Sequence, residues 1–227
     1  MPITAKTLDF LVENRLQNSR EWYAGHKAEF REAVLSPMVE LTERLTPYVS
    51  EIDPLLITEP KVDKCISRVY RDTRFSRDKS LYRDVMWCVF MRDKKAYTCP
   101  PAFVLEFSPD GFRYGCGYYD APAKTMEAIR GLILSDDKDF MAAQRAYESQ
   151  SVFAMEGELY KRSRFLEETP KKRQWLDRRG IAFMHNSKDF SLLFSEGLSE
   201  RVGQDFMLLA PIYRFFCKAM QIDKNSL

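Results

Sequence analysis

Residues 102–118 constrain the fold more than any other stretch. Ala102–Phe107 has the composition of a strand, Pro109-Asp110-Gly111 is a turn signal, and Phe112–Tyr118 returns as the partner strand. Proline presets one backbone dihedral of such a turn, and glycine accepts the positive φ that a tight reversal demands. Two strands joined by so short a connection run antiparallel, because a parallel pair needs a long crossover. The sheet is therefore built at least partly from hairpins.

Val85–Met91 is an unbroken apolar run of strand length and reads as a central strand, preceded by a strand-like stretch at 64–71. Short strands are expected at 152–159, weakened by Gly157, and at 181–185. Helices bracket these strands. Leu8, Leu11 and Val12 recur at helical spacing over 4–17, and Asn18 with Glu21 forms a capping-box signature. A long second helix then carries Trp22, Phe30, Val34, Leu41, Leu45 and Val49, with an interruption at Pro37. Further helices are expected over 122–134 and 136–150, with a short basic one from Thr169-Pro170 to Gly180. A last one, over 199–222, is kinked or divided by Pro211. The pattern implies an α+β fold, a mainly antiparallel sheet of about five to six strands with helices packed on it and helical N- and C-terminal segments.

At 227 residues, with 45% apolar and 30% charged side chains, the chain can bury a sizeable core and lies outside the disordered regime. A single domain over 1–227 is expected, helical over 1–60, sheet-centred over 61–160 and mainly helical over 161–227. The net charge of +2 argues against a surface built wholly for nucleic acid. Charge is uneven, however: residues 1–60 carry six basic and ten acidic side chains, and 161–180 carry eight basic against three acidic. Five scattered cysteines without a C-x-x-C pair read as reduced, mostly buried thiols. No signal-like start and no apolar run of membrane-spanning length is present, so a cytoplasmic protein with no membrane partner is expected.

Residues 68–83 hold six basic side chains, two aspartates and two tyrosines. Arg68, Arg71, Arg74 and Arg77 repeat every three residues, a spacing that neither a strand nor a helix keeps on one face, so the run wraps a strand end and a turn. That geometry directs several guanidinium forks at a common volume, where they match phosphate or carboxylate oxygens. The candidate ligand-binding set is Arg68, Tyr70, Arg71, Asp72, Arg74, Asp78, Lys79 and Tyr82, the aspartates orienting the arginines and the tyrosines adding hydrogen bonds. Glu21 joins it as an arginine-positioning carboxylate or general base, against the plainer reading in which it only caps its helix. An internal ion-pair network pinning the turn to the sheet explains the same residues without a ligand.

Other chemistries find less support. Neither G-x-x-x-x-G-K nor G-x-G-x-x-G occurs, and His26 and His185 have no metal-ligand neighbours at useful spacing, so no cofactor and no metal site are expected, a carboxylate-bound magnesium ion being the one alternative left open. Glu106 is expected to pair with Arg113 across the hairpin. Gly115 and Gly117 let a ligand or, more commonly, a packed helix approach the strand. The best functional reading is a domain binding a small phosphate or carboxylate ligand, with an enzyme on such a substrate left open. The alternative is a nucleic-acid- or protein-binding module that uses the basic segment 161–179, with Phe165 and Trp175 interleaved and the central arginines structural. Oligomeric state has no signature here.

Several segments together resemble an uncharacterised bacterial family, a conserved domain of unknown function. They are Asn18-Ser-Arg-Glu-Trp-Tyr, the run from Arg68 to Tyr82, Phe107-Ser-Pro-Asp-Gly, Gly115-Cys-Gly-Tyr-Tyr, the helix with Ile129-Arg130, and Ala210-Pro-Ile-Tyr-Arg-Phe-Phe. The resemblance spans nearly the whole chain and departs at Cys116, where the family pattern favours a further glycine. It brings no established activity, so function rests on the residues themselves.

Overall fold

Helix α1 (Ala5–Gln17) begins where Thr4 gives its N–H to the Thr7 hydroxyl at 3.1 Å, and it ends at Asn18, whose φ of 47° is left-handed. Ser19 then caps α2 (Arg20–Gly25) by accepting the Trp22 N–H at 3.2 Å. The cap expected at Asn18 is displaced by one residue, because asparagine tolerates left-handed backbone and so terminates the helix before it. These elements belong to a computed structural model that describes residues 2–97, 99–118 and 121–225, with side chains of the last helix through Ile222. Tyr119, the last residue of the Gly115-Cys-Gly-Tyr-Tyr motif, lies outside them.

The long second helix is segmented into α2, α3 (Lys27–Phe30), a π-helical turn at Arg31–Leu35, and α4 (Ser36–Ile52). Pro37 explains the widened turn, since it brings no N–H to the Ala33 carbonyl four residues back. That oxygen accepts the buried Thr7 hydroxyl at 2.7 Å instead, so the defect also ties α1 to the helix behind it.

Strands β1 (Met86–Met91), β2 (Ala102–Ser108), β3 (Gly111–Gly117), β4 (Ala154–Glu156) and β5 (Ala182–Ser187) form an antiparallel sheet in the order β1-β2-β3-β5-β4. The hairpin closes as expected, with Ser108 Oγ accepting the Asp110 N–H at 3.2 Å and Arg113 donating to Glu106 at 2.9 Å. β1, expected to be central, stands at the end of the order. Its outer edge is covered by the stretch expected as a strand at 64–71, which pairs only through single bridges: Ser67 N–H donates to the Trp87 carbonyl at 3.0 Å and Val89 N–H to that of Cys65 at 2.8 Å. An edge strand shielded in this way stays hydrophobic without exposing a ladder. β4 is cut short by Gly157 at φ +132° and pairs antiparallel with β5, Met155 opposite Phe183.

Gly115 and Gly117 serve neither a ligand nor a helix. Strand β5 lies so close that a Cβ at Gly115 would meet the Phe183 carbonyl oxygen at 1.9 Å, and one at Gly117 the Ala182 Cα at 2.4 Å.

Helices α5 (Ala123–Leu134), α6 (Lys138–Glu148), α7 (Pro170–Leu176), α8 (Phe190–Leu193), α9 (Leu198–Leu208) and α10 (Ala210–Asn225) complete the described chain. Pro211 divides the C-terminal helix, standing at the second position of α10, where a missing N–H costs nothing. The chain groups into two compact units, Met1–Phe90 with Val104–Tyr114 and Asn186–Gln204, and Met91–Phe103 with Gly115–His185 and Asp205–Leu227. The first has a core of Leu11, Val34, Met38, Leu45, Cys88 and Phe90, all fully buried. The second is aromatic: buried Trp175 meets Phe140 edge-on at 5.5 Å and Phe183 at 5.1 Å, and α10 joins α6 through Lys218, which donates to Asp137 and Asp139 at 2.7 and 2.8 Å. No helix among the described residues is long and apolar enough to cross a membrane.

Candidate functional site

The 68–83 segment is pinned at both ends. Tyr70 and Tyr82 face each other in an isolated antiparallel bridge, flanked by bonds from Arg71 N–H to the Leu81 carbonyl at 2.8 Å and from Arg83 N–H to that of Val69 at 3.0 Å. Asn18 Oδ1 takes the Leu81 N–H at 2.6 Å, which docks the returning limb on the end of α1. Tyr23, Tyr70 and Tyr82 pack their rings at 5.0–5.5 Å from one another. Tyr82 is fully buried, and burial, followed by Tyr70 beside it, pushes its phenol well above the usual range. Burial raises Tyr23 in the same direction. The motif's two tyrosines thus fix the base of a loop whose tip, 72–80, is largely solvent-facing and carries exposed Phe75.

The loop's charges are mostly answered within it. Arg71 meets Asp78 at 2.8 Å and donates to Ser76 Oγ at 3.4 Å. Arg74 grips Asp72 through Nε and Nη2 at 3.0 and 2.7 Å, and these bonds hold the Asp72 carboxyl down at about 2. Asp78 is lowered as well, first by the Ser80 N–H that it accepts at 2.9 Å. Lys79 donates to the Thr73 carbonyl at 2.7 Å. Tyr70, Arg71, Asp72, Arg74, Asp78, Lys79 and Tyr82 therefore share one loop and its base. Arg68 stands apart from it, exposed and paired with Asp63. Glu21 also stands apart, accepting the Ser19 hydroxyl at 2.9 Å, and its lowered pKa traces first to its own helix-start N–H.

Arg83, at the end of the motif, behaves differently from the arginines before it. Its guanidinium carbon lies 4.6 Å from the centroid of the Trp87 ring, and one Nη donates to the Tyr70 carbonyl at 2.8 Å. Its Nε is buried without a partner, and no carboxylate pairs with it among the described residues. Burial lowers its pKa, Arg71 lowers it further, and Asp72 opposes only at longer range. The sequence did hold a signal for this geometry: positions 83 and 87 fall on one face of an extended chain.

A second group lines the other side of the returning limb. Arg15 pairs with Asp84, and both border a depression of about 550 Å³ with Asn18, Asp78 and Ser80. Ser80 Oγ and both amide atoms of fully buried Asn14 find no partner among the described residues. Two engaged carboxylates make this depression poor ground for an anion.

Asp72, Asp78 and Glu21 are held ionised and Tyr23 and Tyr82 are held protonated, so none of these groups titrates near neutrality. The buried thiols are equally inert, Cys65 pushed up to about 12 and Cys88 to about 11 by burial. Among the described residues no three His, Cys, Asp or Glu side chains gather as a metal set.

Against known proteins, the chain has no match among curated sequences. A family profile described as a conserved hypothetical protein, DUF2461, matches residues 6–215. Apart from Phe216, that span contains every motif on which the resemblance was drawn, from the α1–α2 junction through the 68–83 loop to the first turn of α10. The chain belongs to the conserved hypothetical protein family DUF2461.

Proposed function

We propose that the protein is a binding domain for a small anion, a phosphate or carboxylate, whose contact is the Arg71–Arg83 side of the central loop. The observation that carries this reading is Arg83: a half-buried guanidinium fixed by stacking on Trp87 and by a carbonyl, with its charge unopposed by any bonded carboxylate. Such an arrangement keeps a planar fork in place while leaving its field intact. Arg71 lies within electrostatic reach, and exposed Arg77, without a bonded partner among the described residues, supplies further charge at the loop tip.

Thermal melts against a panel of phosphates and dicarboxylates at low salt test the proposal. The melting temperature of the wild type should rise with at least one compound. Arg83→Lys keeps the charge but loses the fork and the stack, and should lose most of that rise. Arg77→Ala, on exposed chain, should weaken it while folding normally. If Arg83→Lys responds as the wild type does, or if no compound shifts the wild type, the site is not there.

A further inference from the structure

The basic stretch read from sequence as 161–179 takes a specific form around a residue just before it. Tyr160 has three guanidinium carbons near its ring centroid, those of Arg164 at 4.4 Å, Arg130 at 5.3 Å and Arg179 at 5.5 Å. All three therefore lie on one small patch. Arg130 reaches it from α5, donating to the carbonyls of Leu176 and Arg178 at 3.2 and 2.7 Å and to the Tyr160 hydroxyl at 3.1 Å. Arg178 is held the same way, by the carbonyls of Gln174 at 3.0 Å and Gly157 at 2.8 Å.

These acceptors are neutral. They fix the guanidinium groups without cancelling their charge, and like charges held this close repel one another. Among the described residues one carboxylate bonds to the group, Glu158 to Arg179 at 3.1 Å, with both side chains exposed. The Asp177 carboxylate accepts a backbone N–H, that of Arg164, at 3.3 Å. The Arg164 side chain is exposed and its guanidinium has no hydrogen-bond partner among the described residues, so all five of its donors are available. Lys161 and Arg162 extend the positive field alongside.

We propose that the Tyr160 cluster is a second anion site, one that takes a compact, multiply charged phosphate group of diphosphate size borne by a small molecule. Three arginines converging on one ring suit a ligand that concentrates charge. A nucleic-acid backbone spreads its charge along a strand and is better met by a row of cations than by a knot of them. The rigid carbonyl mounts of Arg130 and Arg178 supply the preorganisation that a defined ligand needs and that a non-specific polyanion surface does without.

Pyrophosphate is the probe, read by calorimetry and by thermal melts at low salt, on the wild type, Arg164→Ala and Arg83→Lys. Pyrophosphate at roughly five times its Kd should raise the melting temperature of the wild type by about 2–4 °C. Arg164→Ala should lose about ten-fold or more in affinity for this site, while melting without ligand at or above the wild-type temperature because a repulsion has been removed. Arg83→Lys should leave this affinity unchanged, which separates the cluster from the central loop. The proposal is overturned if pyrophosphate leaves the wild type unshifted or if Arg164→Ala binds it as the wild type does. It is overturned equally if a single-stranded oligonucleotide binds where pyrophosphate does not, with an affinity that falls steeply with salt, because the patch is then a backbone surface.

Discussion

The 68–83 loop and the Tyr160 cluster both gather arginines, and they differ in what holds the guanidinium groups. In the loop, Arg71 and Arg74 each meet an aspartate, Asp78 or Asp72, and Arg68 beside the loop meets Asp63. Around Tyr160, Arg130 is held by backbone carbonyls and Arg164 by the ring alone, neighbouring Arg178 is again held by carbonyls, and only Arg179 among these four meets a carboxylate, the exposed Glu158. A carboxylate fixes an arginine and cancels its charge, whereas a carbonyl or a ring fixes it and leaves the charge in place. Density of arginine in a sequence is therefore a weak guide to positive potential. Arg83 makes the point within the loop itself, since it sits in the densest run yet is mounted as the Tyr160 arginines are.

That contrast can be broken by mutation. The largest effect is expected at Arg130→Ala, which leaves the Leu176 and Arg178 carbonyls without their donor. It should cost about 3 kcal/mol, or roughly 6–12 °C in melting temperature, in a calorimetric scan. A loss under a degree would mean that the carbonyl mounts are incidental. Next comes Asn14→Leu, which removes a fully buried amide with neither atom bonded among the described residues and should stabilise by about 1 kcal/mol in urea titration. Anion binding at the loop should survive it, because the Asn14 amide bonds to none of the loop's side chains. Tyr160→Phe deletes one hydroxyl but keeps the ring, so it should cost under about 1 kcal/mol and leave pyrophosphate affinity within two-fold. If affinity collapses, the hydroxyl rather than the ring organises the cluster.

The smallest effect is the most diagnostic of carboxylate mounting. The folded-state pKa of Asp72 is depressed to about 2 by Arg74, so its contribution is present above the unfolded value of about 3.9 and is lost as pH falls from there towards about 2. Wild type and Asp72→Asn should therefore differ slightly in melting temperature at pH 5–7 and converge near pH 2. Curves that stay parallel to pH 2 would show that the pair adds nothing at this exposed site.

How much of this was legible follows from what a sequence encodes. The hairpin at 102–118 and the helices after Pro122 and Thr169 could be read because their signals are local: a turn residue, a cap, a period. The break near Pro37 was visible, but the hydroxyl that fills it comes from Thr7, on another helix. The role of β1 was misjudged because an apolar strand reads the same whether another strand or an irregular cover protects it. The loop was found as a motif, and its aspartates do hold Arg71 and Arg74. The Tyr160 cluster was visible only as the basic segment 161–179, without Tyr160 or Arg130. Its mounts are carbonyl oxygens, which every residue carries and no letter distinguishes, and Arg130 arrives from thirty positions upstream.

The close fit of Gly115 and Gly117 against β5 also has a bearing on assembly. β3 emerges with β2 as a local hairpin, but the strand that fills its other edge lies beyond residue 180. Pairings so distant in sequence form slowly, and while they wait an unpaired edge is open to neighbouring chains. On the ribosome, the two glycines therefore act as a docking slot kept vacant through the synthesis of more than sixty residues, and a methyl group in either would leave that edge exposed for good.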